Sequence, residues 1–475
     1  MINLNQDDIF DLEEDKFKDE CGVFGIFSTE ELDVASVTYY GLYALQHRGE
    51  ESSGIVVSDG QELKSYKEMG LVCDVFNKDV LEKLKGTSAI GHVRYSTTGS
   101  SSASNAQPIV GQYKLGSIAI AHNGNLVNAD VVRELLEEGG CIFQTSIDSE
   151  VILNLIARGA KKGIEKAVVD TVQAIKGSFA IVLLTEDKLI GVRDPNGIRP
   201  LCIGKVNESY ILSSESCALD SIGADFIRDV EPGEIVVIDK EGIKSLKLSE
   251  KTKCETCAFE YIYFARPDSC IDDINVYDSR VRAGRKLFEE SPAEADIVIG
   301  VPDSGIAAAV GYAEASGIPY GIGFIKNKYV GRTFITPSQE MRERAVAVKL
   351  NPLKVNVYGK RVVIVDDSIV RGTTSRRLVE ILRRAGASEV HFRVSSPMVR
   401  YPCYFGIDTP YRSELIGSGN SVDDIKEKIG ADSLGYISME GLLKSLGEDK
   451  GFCLGCFNGI YPVSAPMELP KEHLG

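Results

Sequence analysis

Short apolar stretches of strand length run through the first half of the chain, separated by a few segments with helical spacing of their apolar positions. The stretches predict strands at residues 21–27, 55–57, 117–121 and 180–184. The helical spacing predicts helices at residues 130–138 and 149–158. Strands interleaved with a few helices predict a layered α/β domain.

The pattern changes after Pro232-Gly233, which introduces a last strand at residues 234–238. Residues 239–253 are dense in charge and show little periodicity, as expected of a connector between domains. We therefore expect a domain boundary near Lys253, with one domain at residues 21–253 and a second at residues 254–475.

Strands and helices alternate in the second domain. Helices are predicted from residue 277 to 287, after Gly305 and at 374–384, and strands at 296–301, 320–326, 361–365 and 389–394. Such alternation indicates a parallel sheet with flanking helices, whose ligands bind beyond the carboxyl ends of the strands. Functional residues should therefore follow the strands directly.

Length and composition limit the functional classes. A chain of 475 residues exceeds what one hydrophobic core usually serves, which agrees with two domains. No apolar run approaches the ~20 residues that span a bilayer, so we expect no membrane segment. A net charge of -16 argues against sequence-independent binding of nucleic acid, which requires a cationic face.

The N-terminus and the cysteines indicate the compartment. Residues 1–20 are acidic and lack the apolar core of a secretion signal. Eleven cysteines, an odd number in a long chain, suit a reducing environment in which thiols serve catalysis or metals. A cytoplasmic protein is predicted.

The strand at residues 361–365 leads directly into two carboxylates, Asp366 and Asp367, and a small hydroxyl-rich loop. Paired carboxylates can hold ribose hydroxyls and a magnesium ion, while backbone N–H groups at a helix N-terminus bind phosphate. An aspartate at a strand end is common in doubly wound sheets, but the whole string from Val362 to Thr374 resembles the signature of type I phosphoribosyltransferases. The resemblance implies binding of phosphoribosyl diphosphate and magnesium by the following residues: Asp366, Asp367, Ser368, Arg371, Gly372, Thr373 and Thr374.

Two other segments accompany this signature. Residues 301–305 follow a strand and resemble the family's diphosphate-binding loop, with Ser304 at a position tied to the metal. Residues 326–342 mix cations, glycine and aromatics and resemble a lid that closes over the substrate, with Lys326 as a substrate contact. Without the neighbouring motifs, the same segment fits a solvated cationic loop equally well.

Cys21 precedes a strand and has a chemical use only at the start of a chain. An N-terminal cysteine supplies a thiol nucleophile and, in its own α-amine, a base with a pKa near ~8. Removal of residues 1–20 as a propeptide would then be a chemical requirement. A cysteine before an apolar strand is otherwise most often a core residue.

Three further strings accompany Cys21: residues 46–49, 91–97 and 122–125. Together they resemble the N-terminal-nucleophile glutamine amidotransferases, which have an αββα fold. The resemblance implies that Arg94 binds the α-carboxylate of glutamine, that Asp148 binds its α-ammonium group, and that Asn123 and Gly124 form an oxyanion hole. The histidines of these strings, His47, His92 and His122, are interpreted as structural.

The pair Cys453 and Cys456 fits a redox pair, half of a zinc site or half of an iron–sulfur site. Both halves of the chain resemble the amidophosphoribosyltransferases of purine synthesis, in the form that carries a [4Fe–4S] cluster. That resemblance implies two further ligands, Cys257 and Cys403, and a cluster that ties the C-terminus to the second domain. Cys254 forms a second C-x-x-C pair with Cys257 and is an alternative ligand, which leaves zinc open.

The resemblance implies that glutamine supplies ammonia, which displaces diphosphate from phosphoribosyl diphosphate to give 5-phosphoribosylamine. It also implies one Mg²⁺ and one cluster per subunit, a homotetramer, feedback inhibition by purine nucleotides, and passage of ammonia between the two sites beneath the closed lid. One rival is a related amidotransferase such as glucosamine-phosphate synthase, which the string from Val362 to Thr374 disfavours. Another is a regulator that binds phosphoribosyl diphosphate without catalysis, which the glutaminase residues disfavour.

Overall fold

Two antiparallel sheets dominate the first half of the computed structural model, which describes residues 21–95, 102–248, 252–327, 350–409, 411–447 and 449–464. The first sheet has seven strands in the spatial order β11 (Asp225–Asp229), β9 (Cys202–Val206), β10 (Ser209–Ser213), β1 (Gly22–Phe27), β4 (Ser88–Arg94), β2 (Ser52–Ser58) and β3 (Leu63–Met69). The second has six, in the order β13 (Gly242–Lys247), β12 (Glu234–Asp239), β8 (Leu189–Arg193), β7 (Gly177–Thr185), β6 (Gly116–Leu126) and β5 (Ile109–Tyr113).

The two sheets pack face to face, and helices cover their outer surfaces. Side chains of both sheets share one apolar core, including Val23, Ile90, Ala121 and Val182. Helices α1 (Val34–Ala44), α2 (Val72–Val75) and α7 (Ser216–Ser221) pack on the seven-stranded sheet, and α5 (Ser149–Gly159) and α6 (Ile164–Ala174) on the six-stranded sheet. Helices α3 (Lys78–Leu81) and α4 (Ala129–Glu138) complete this half. The predicted αββα architecture is confirmed.

The second half is built on a parallel sheet. Its strands lie in the order β17 (Ile297–Gly300), β20 (Arg361–Asp366), β21 (Glu389–Val394) and β22 (Ser433–Tyr436). Helices α8 (Val276–Glu290), α9 (Ile306–Ser316) and α13 (Met439–Leu446) belong to the core on one face, and α11 (Thr373–Arg384) and α12 (Val422–Ile429) to the core on the other. This arrangement confirms the predicted parallel sheet with flanking helices.

Short elements connect these layers. Strand β14 (Thr256–Cys257) pairs with β23 (Phe452–Cys453), β15 (Cys270–Ile271) with β16 (Ile274–Asn275), and β18 (Phe324–Lys326) with β19 (Leu350–Pro352). A π-helix at Glu260–Phe264 precedes α8, and α10 (Lys354–Val357) and α14 (Gly455–Asn458) are single turns. Within the described residues, no helix is both long and apolar enough to cross a bilayer.

Two sequence predictions need correction. Residues 239–253 are not simply a connector, because residues 242–247 form the edge strand β13 and pair with β12. Ile243 and Leu246 contact the apolar cores, while the charged neighbours face solvent. Of residues 320–326, Tyr320 makes a single parallel bridge to Val298 of β17. Only residues 324–326 form a strand, which pairs antiparallel with residues 350–352 outside the parallel sheet. The domain boundary near Lys253 stays a prediction.

Candidate active sites

Cys21 lies immediately before β1, beside the end of β4. The register pairs Gly22 with Val93, so the nucleophile predicted from the sequence and Arg94 lie at the same end of neighbouring antiparallel strands. The Cys21 side chain is buried, and its Sγ donates to the Tyr95 carbonyl at 3.5 Å. Burial raises the pKa of this thiol to about 11. At neutral pH the thiol is therefore protonated, and a base has to remove its proton before it attacks.

Arg94 and Asp148 both act on the thiol of Cys21. Burial has the largest effect on the pKa of the thiol; the charge of Arg94 opposes it by lowering this pKa, and the charge of Asp148 adds to it by raising this pKa. Both side chains are buried, and Arg94 Nη1 lies 3.3 Å from Glu51 Oε1. The structure thus brings together the two residues predicted to bind the charged groups of glutamine.

The Asp148 carboxylate precedes helix α5 and is held from two sides. Its Oδ2 accepts from Leu126 N at 3.0 Å, and its Oδ1 lies 3.5 Å from His122 Nδ1. Burial favours the neutral carboxyl, but His122 and the Leu126 N–H together lower the pKa of Asp148 below its ordinary value. Asp148 is therefore ionised at neutral pH and able to pair with an ammonium group.

Asn123 and Gly124 lie within β6. The sequence predicts instead that the strand ends at residue 121, before both of them. They pair with Ala180 and Phe179 of β7. Gly124 has φ +142°, and a Cβ there would lie 2.1 Å from the Ser178 carbonyl oxygen, so only glycine fits. The buried Asn123 Nδ2 has no hydrogen-bond partner among the described residues. Buried donors without partners are rare, and this one suits a group that binds an oxyanion.

The rings of the three histidines all contact other protein groups. Burial lowers the pKa of His92 to about 3, so its ring is neutral, and its Nε2 lies 3.1 Å from the His122 carbonyl oxygen. His47 Nε2 lies 2.7 Å from Glu215 Oε1. His122 contacts Asp148, a role that the sequence did not reveal.

Arg48 is a second residue that the sequence analysis missed. It lies in the string 46–49, whose sequence does not reveal its role. Its side chain is fully buried, and its Nε donates to the Cys21 carbonyl oxygen at 3.1 Å. A buried arginine requires acceptors for its whole guanidinium group, and residues far away in the chain supply the others.

Asp366 and Asp367 lie at the carboxyl end of β20, between two other strands of the parallel sheet. Both are buried, and Asp367 N donates to Asp366 Oδ1 at 2.9 Å. Ser304 Oγ donates to Asp367 Oδ1 at 2.5 Å and Ser368 Oγ to Asp367 Oδ2 at 2.6 Å. Ser304 and Asp367, two of the residues predicted to hold Mg²⁺, are thus in direct contact, and the backbone of Asp367 contacts the carboxylate of the third, Asp366. Such oxygens are the ligands that Mg²⁺ prefers.

The loop after Asp367 leads into helix α11. Gly372 is the N-cap residue with φ +87°, and Thr373 and Thr374 form the first turn of a 12-residue helix. The N-terminus of such a helix favours a phosphate group. Arg371 lies in the same loop with its Nη2 3.0 Å from Glu414 Oε2. The loop predicted to bind phosphate therefore ends at a helix N-terminus, and its binding of phosphate stays a prediction.

Lys326 ends strand β18 and faces the loop after β17. Its Nζ lies 3.0 Å from Asp303 Oδ2, and both side chains are exposed. Of the predicted lid at residues 326–342, only residues 326 and 327 belong to the described chain. The predicted propeptide, residues 1–20, also lies outside it.

The four predicted cluster ligands belong to one apolar core. Cys257 and Cys453 are directly paired in β14 and β23, and Cys403 and Cys456 pack in the same core. Burial raises the pKa of Cys257, Cys453 and Cys456, and the neighbouring cysteines raise it further. In the described ranges, no three or more His, Cys, Asp or Glu side chains are positioned so that they could hold one metal ion.

Comparison with known proteins identifies both halves. Residues 92–221 match a family model described as a glutamine amidotransferase domain, and residues 276–396 match one described as a phosphoribosyl transferase domain. The amidophosphoribosyltransferase of Bacillus subtilis is 50% identical over 462 residues, which cover 96% of this chain and 97% of the relative. The chain belongs to the amidophosphoribosyltransferase family.

Other relatives agree with this assignment. The amidophosphoribosyltransferase of Methanocaldococcus jannaschii is 50% identical over 94% of this chain and 98% of its own length. The solved structure of the glutamine phosphoribosylpyrophosphate amidotransferase from B. subtilis, complexed with ADP and GMP, has 51% identity and a TM-score of 0.90, covering 94% of this chain and 98% of that one. The enzyme therefore converts phosphoribosyl diphosphate to phosphoribosylamine with glutamine as the nitrogen donor, the first step of purine biosynthesis. This assignment excludes both rival functions, a related amidotransferase such as glucosamine-phosphate synthase and a regulator that binds phosphoribosyl diphosphate without catalysis.

Proposed function

We propose that Cys21 hydrolyses glutamine through a thioester and that the ammonia released is used at the Asp366–Asp367 site. The Cys21 thiol attacks the amide carbon while its proton passes to the α-amine of Cys21. The amide nitrogen then leaves as ammonia with that proton, and water hydrolyses the thioester to glutamate. Because burial raises the pKa of this thiol to about 11, the thiol needs a base in immediate reach, and the α-amine of Cys21 is that base once residues 1–20 are removed.

Substrate contacts follow from the charges around Cys21. Arg94 binds the α-carboxylate of glutamine and Asp148 its α-ammonium group. Asn123 Nδ2 and the Gly124 N–H stabilise the oxyanion of the tetrahedral intermediate. The buried donor of Asn123, without a partner in the described chain, is the observation that carries this proposal.

At the second site, ammonia attacks C1 of phosphoribosyl diphosphate and diphosphate leaves. Asp366 and Asp367 hold the ribose hydroxyls, and the same two carboxylates with Ser304 would hold one Mg²⁺ per subunit, which would offset the charge of the diphosphate. The loop with Ser368, Arg371, Gly372, Thr373 and Thr374 binds the 5-phosphate. Lys326 contacts the substrate from β18, where it already neighbours the loop at Asp303.

The proposal extends to the processing and assembly of the chain. Residues 1–20 are removed so that Cys21 gains its α-amine, residues 21–253 form the glutaminase domain, and residues 254–475 form the phosphoribosyltransferase domain. The protein acts in the cytoplasm as a homotetramer under feedback inhibition by purine nucleotides. The ADP and GMP bound to the B. subtilis relative support nucleotide control.

Four thiolates, from Cys257, Cys403, Cys453 and Cys456, hold one [4Fe–4S] cluster per subunit in a structural role. Their common core and the pairing of Cys257 with Cys453 support this set. Analysis of iron and acid-labile sulfide in anaerobically purified protein tests it, and stoichiometric zinc without sulfide would exclude it.

The test of the catalytic assignment compares wild type with Cys21→Ala and Asp367→Ala, assayed with glutamine and with ammonia. We expect Cys21→Ala to retain only ammonia-dependent synthesis, and Asp367→Ala to lose synthesis from both nitrogen sources. Glutamine-dependent synthesis by Cys21→Ala would exclude the mechanism. N-terminal sequencing of the active enzyme should begin at Cys21, and full activity with residues 1–20 attached would contradict the role of the α-amine.

A further inference from the structure

A buried group of charged side chains joins the two halves of the chain beneath Cys21. Arg48 and Glu215 belong to the antiparallel-sheet half, whereas Glu260 begins the π-helix of the C-terminal half, and all three side chains are fully buried. Arg48 Nη1 donates to Glu215 Oε1 at 2.5 Å, and Arg48 Nη2 donates to Glu260 Oε1 at 2.8 Å. The guanidinium of Arg48 is thus held by one carboxylate from each half.

The same guanidinium also holds the nucleophile. Arg48 Nε donates to the carbonyl oxygen of Cys21 at 3.1 Å. Because a guanidinium is planar and rigid, its bonds to Glu260 and Glu215 fix the direction in which its Nε–H points. A carboxylate of the C-terminal half therefore helps to set the position of the Cys21 peptide group.

Glu260 has a second cationic neighbour, and the π-helix that it begins is bonded by a third cation. Arg199 Nη1 lies 3.7 Å from Glu260 Oε1. Arg280 of helix α8 holds the π-helix itself, because it donates to the carbonyl oxygen of Tyr261, next to Glu260, at 2.7 Å and to that of Ala265, after the last residue of the π-helix, at 2.8 Å. π-helices are uncommon and frequently occur at functional sites.

Arg280 extends this set of contacts towards the phosphoribosyl site. Its side chain is 6% exposed, and burial lowers the pKa of Arg280 to about 10, an effect that the charge of Asp367 partly offsets. The side chain that bonds the π-helix at Tyr261 and Ala265 is therefore influenced by the charge of a proposed magnesium ligand. The contacts from Cys21 to Arg280 form a continuous series through Arg48 and Glu260.

We infer that Glu260 is a positioning residue for Cys21, which it acts on through Arg48. The inference rests on the proposed role of Cys21 as the nucleophile. The π-helix at Glu260–Phe264 transmits the geometry of the C-terminal half to the glutaminase site, so the thiol is correctly oriented only when the two halves are docked. Loss of the Glu260 carboxylate leaves Arg48 without its acceptors on that side.

The chain offers a matched control at the same interface. Arg193 of β8 is fully buried and binds Asp272 of the C-terminal half with two bonds, Nη1 to Oδ1 at 2.7 Å and Nη2 to Oδ2 at 2.8 Å. Within the described residues, the hydrogen bonds of Arg193 go to Asp272, Thr256 and backbone carbonyls, and none goes to Cys21. Asp272→Asn therefore weakens a buried pair between the halves without touching the nucleophile.

The experiment uses the full-length enzyme as wild type, Glu260→Gln, Glu260→Ala and Asp272→Asn. For each, kcat and KM for glutamine, ammonia-dependent synthesis, the thermal unfolding midpoint and the rate of Cys21 alkylation by iodoacetamide are measured. In Glu260→Ala we expect kcat with glutamine to fall on the order of a hundredfold, because a small misplacement of a nucleophile costs about that much. We expect ammonia-dependent synthesis and KM for glutamine to stay within about twofold of wild type, since the groups that bind the substrates are unchanged.

Glu260→Gln keeps the shape and an acceptor but loses the charge, so its kcat with glutamine should be intermediate. Asp272→Asn should lower the unfolding midpoint yet keep the wild-type ratio of glutamine-dependent to ammonia-dependent synthesis and the wild-type alkylation rate. An unchanged ratio in Glu260→Gln, or equal loss of both activities, would overturn the inference, since either result assigns Glu260 a purely structural role. Failure of the catalytic proposal would appear separately, as glutamine-dependent synthesis by Cys21→Ala.

Discussion

At the scale of one residue, the buried amide donor of Asn123 is expected to affect catalysis but not the stability of the fold. Its Nδ2 has no partner in the part of the chain that the structure describes, so the folded state gains nothing from it. We predict that Asn123→Ala lowers kcat of glutamine hydrolysis on the order of a hundredfold or more. The thermal midpoint should hardly change. A stable variant with wild-type glutaminase activity would remove Asn123 from the oxyanion site.

His92 gives a pH dependence whose sign follows from its burial. Its pKa is about 3 in the folded protein, against about 6.5 for a histidine in an unfolded chain. Between these values only the unfolded chain binds the proton, so the free energy of unfolding falls as the pH falls below 6.5. The slope from this one group is about 1.4 kcal/mol per pH unit.

We therefore predict that His92→Gln loses less stability than wild type between pH 7.5 and pH 5.5. The measurement is the denaturant midpoint of both proteins at the two pH values. A variant whose midpoint shifts as much as that of wild type would show that His92 is protonated in the folded protein.

At the scale of elements, strand β6 shows what a single glycine contributes. Gly124 pairs with Phe179 at a φ of +142°, and a Cβ there would meet the backbone of Ser178. We predict that Gly124→Ala forces β6 and β7 apart, lowers the thermal midpoint and reduces glutamine hydrolysis on the order of a hundredfold. Ammonia-dependent synthesis should persist at temperatures where the variant is folded.

Gly140 provides the control for that substitution. It also has a positive φ, +86°, but a Cβ there would meet nothing within 4 Å. Gly140→Ala should therefore lower the free energy of unfolding by only about 1 to 2 kcal/mol, the cost of a left-handed backbone conformation for alanine. Both activities should stay intact. Equal destabilisation by the two substitutions would mean that contact with Ser178 is unimportant.

The elements themselves were largely predictable, because each depends on local sequence. The strand at residues 361–366 and the loop to Thr374 follow the apolar run and its carboxylates as expected. The end of β6 was not predictable, because Asn123 and Gly124 favour a turn locally and extend the strand only through pairing with β7. Strand β13 was missed since most of its side chains face solvent, which hides the apolar period.

At the scale of the whole molecule, the contacts between the two halves cannot be predicted from sequence patterns. Arg48 and Glu260 are separated by 212 positions, and neither lies in a motif that predicts the other. The same holds for the bonds from Asn125 Nδ2 to the Tyr404 carbonyl at 2.9 Å and from Ser178 Oγ to the Phe405 carbonyl at 2.8 Å. Buried charges that are satisfied only across an interface become visible once both halves are folded.

The orientation of Cys254 bears on the proposed cluster. Its Sγ lies 3.4 Å from Thr256 Oγ1 and 4.0 Å from Asp272 Oδ2, on the side of the Arg193–Asp272 pair. Cys257 instead belongs to the core that contains the other three proposed ligands. Residues 256 and 257 of β14 face opposite sides, and Cys254 lies on the side of Thr256. This geometry favours Cys257 over Cys254 as a ligand.

We therefore predict opposite outcomes for two cysteine variants purified without oxygen. Cys453→Ser should lose iron and acid-labile sulfide and lower the thermal midpoint, because thiolates from three separated segments would no longer be tied together. Cys254→Ser should keep iron, sulfide and midpoint at the wild-type level, since its thiol contacts Thr256 and Asp272 instead. Loss of iron in Cys254→Ser would assign that thiol to the cluster, and wild-type iron in Cys453→Ser would remove Cys453 from it.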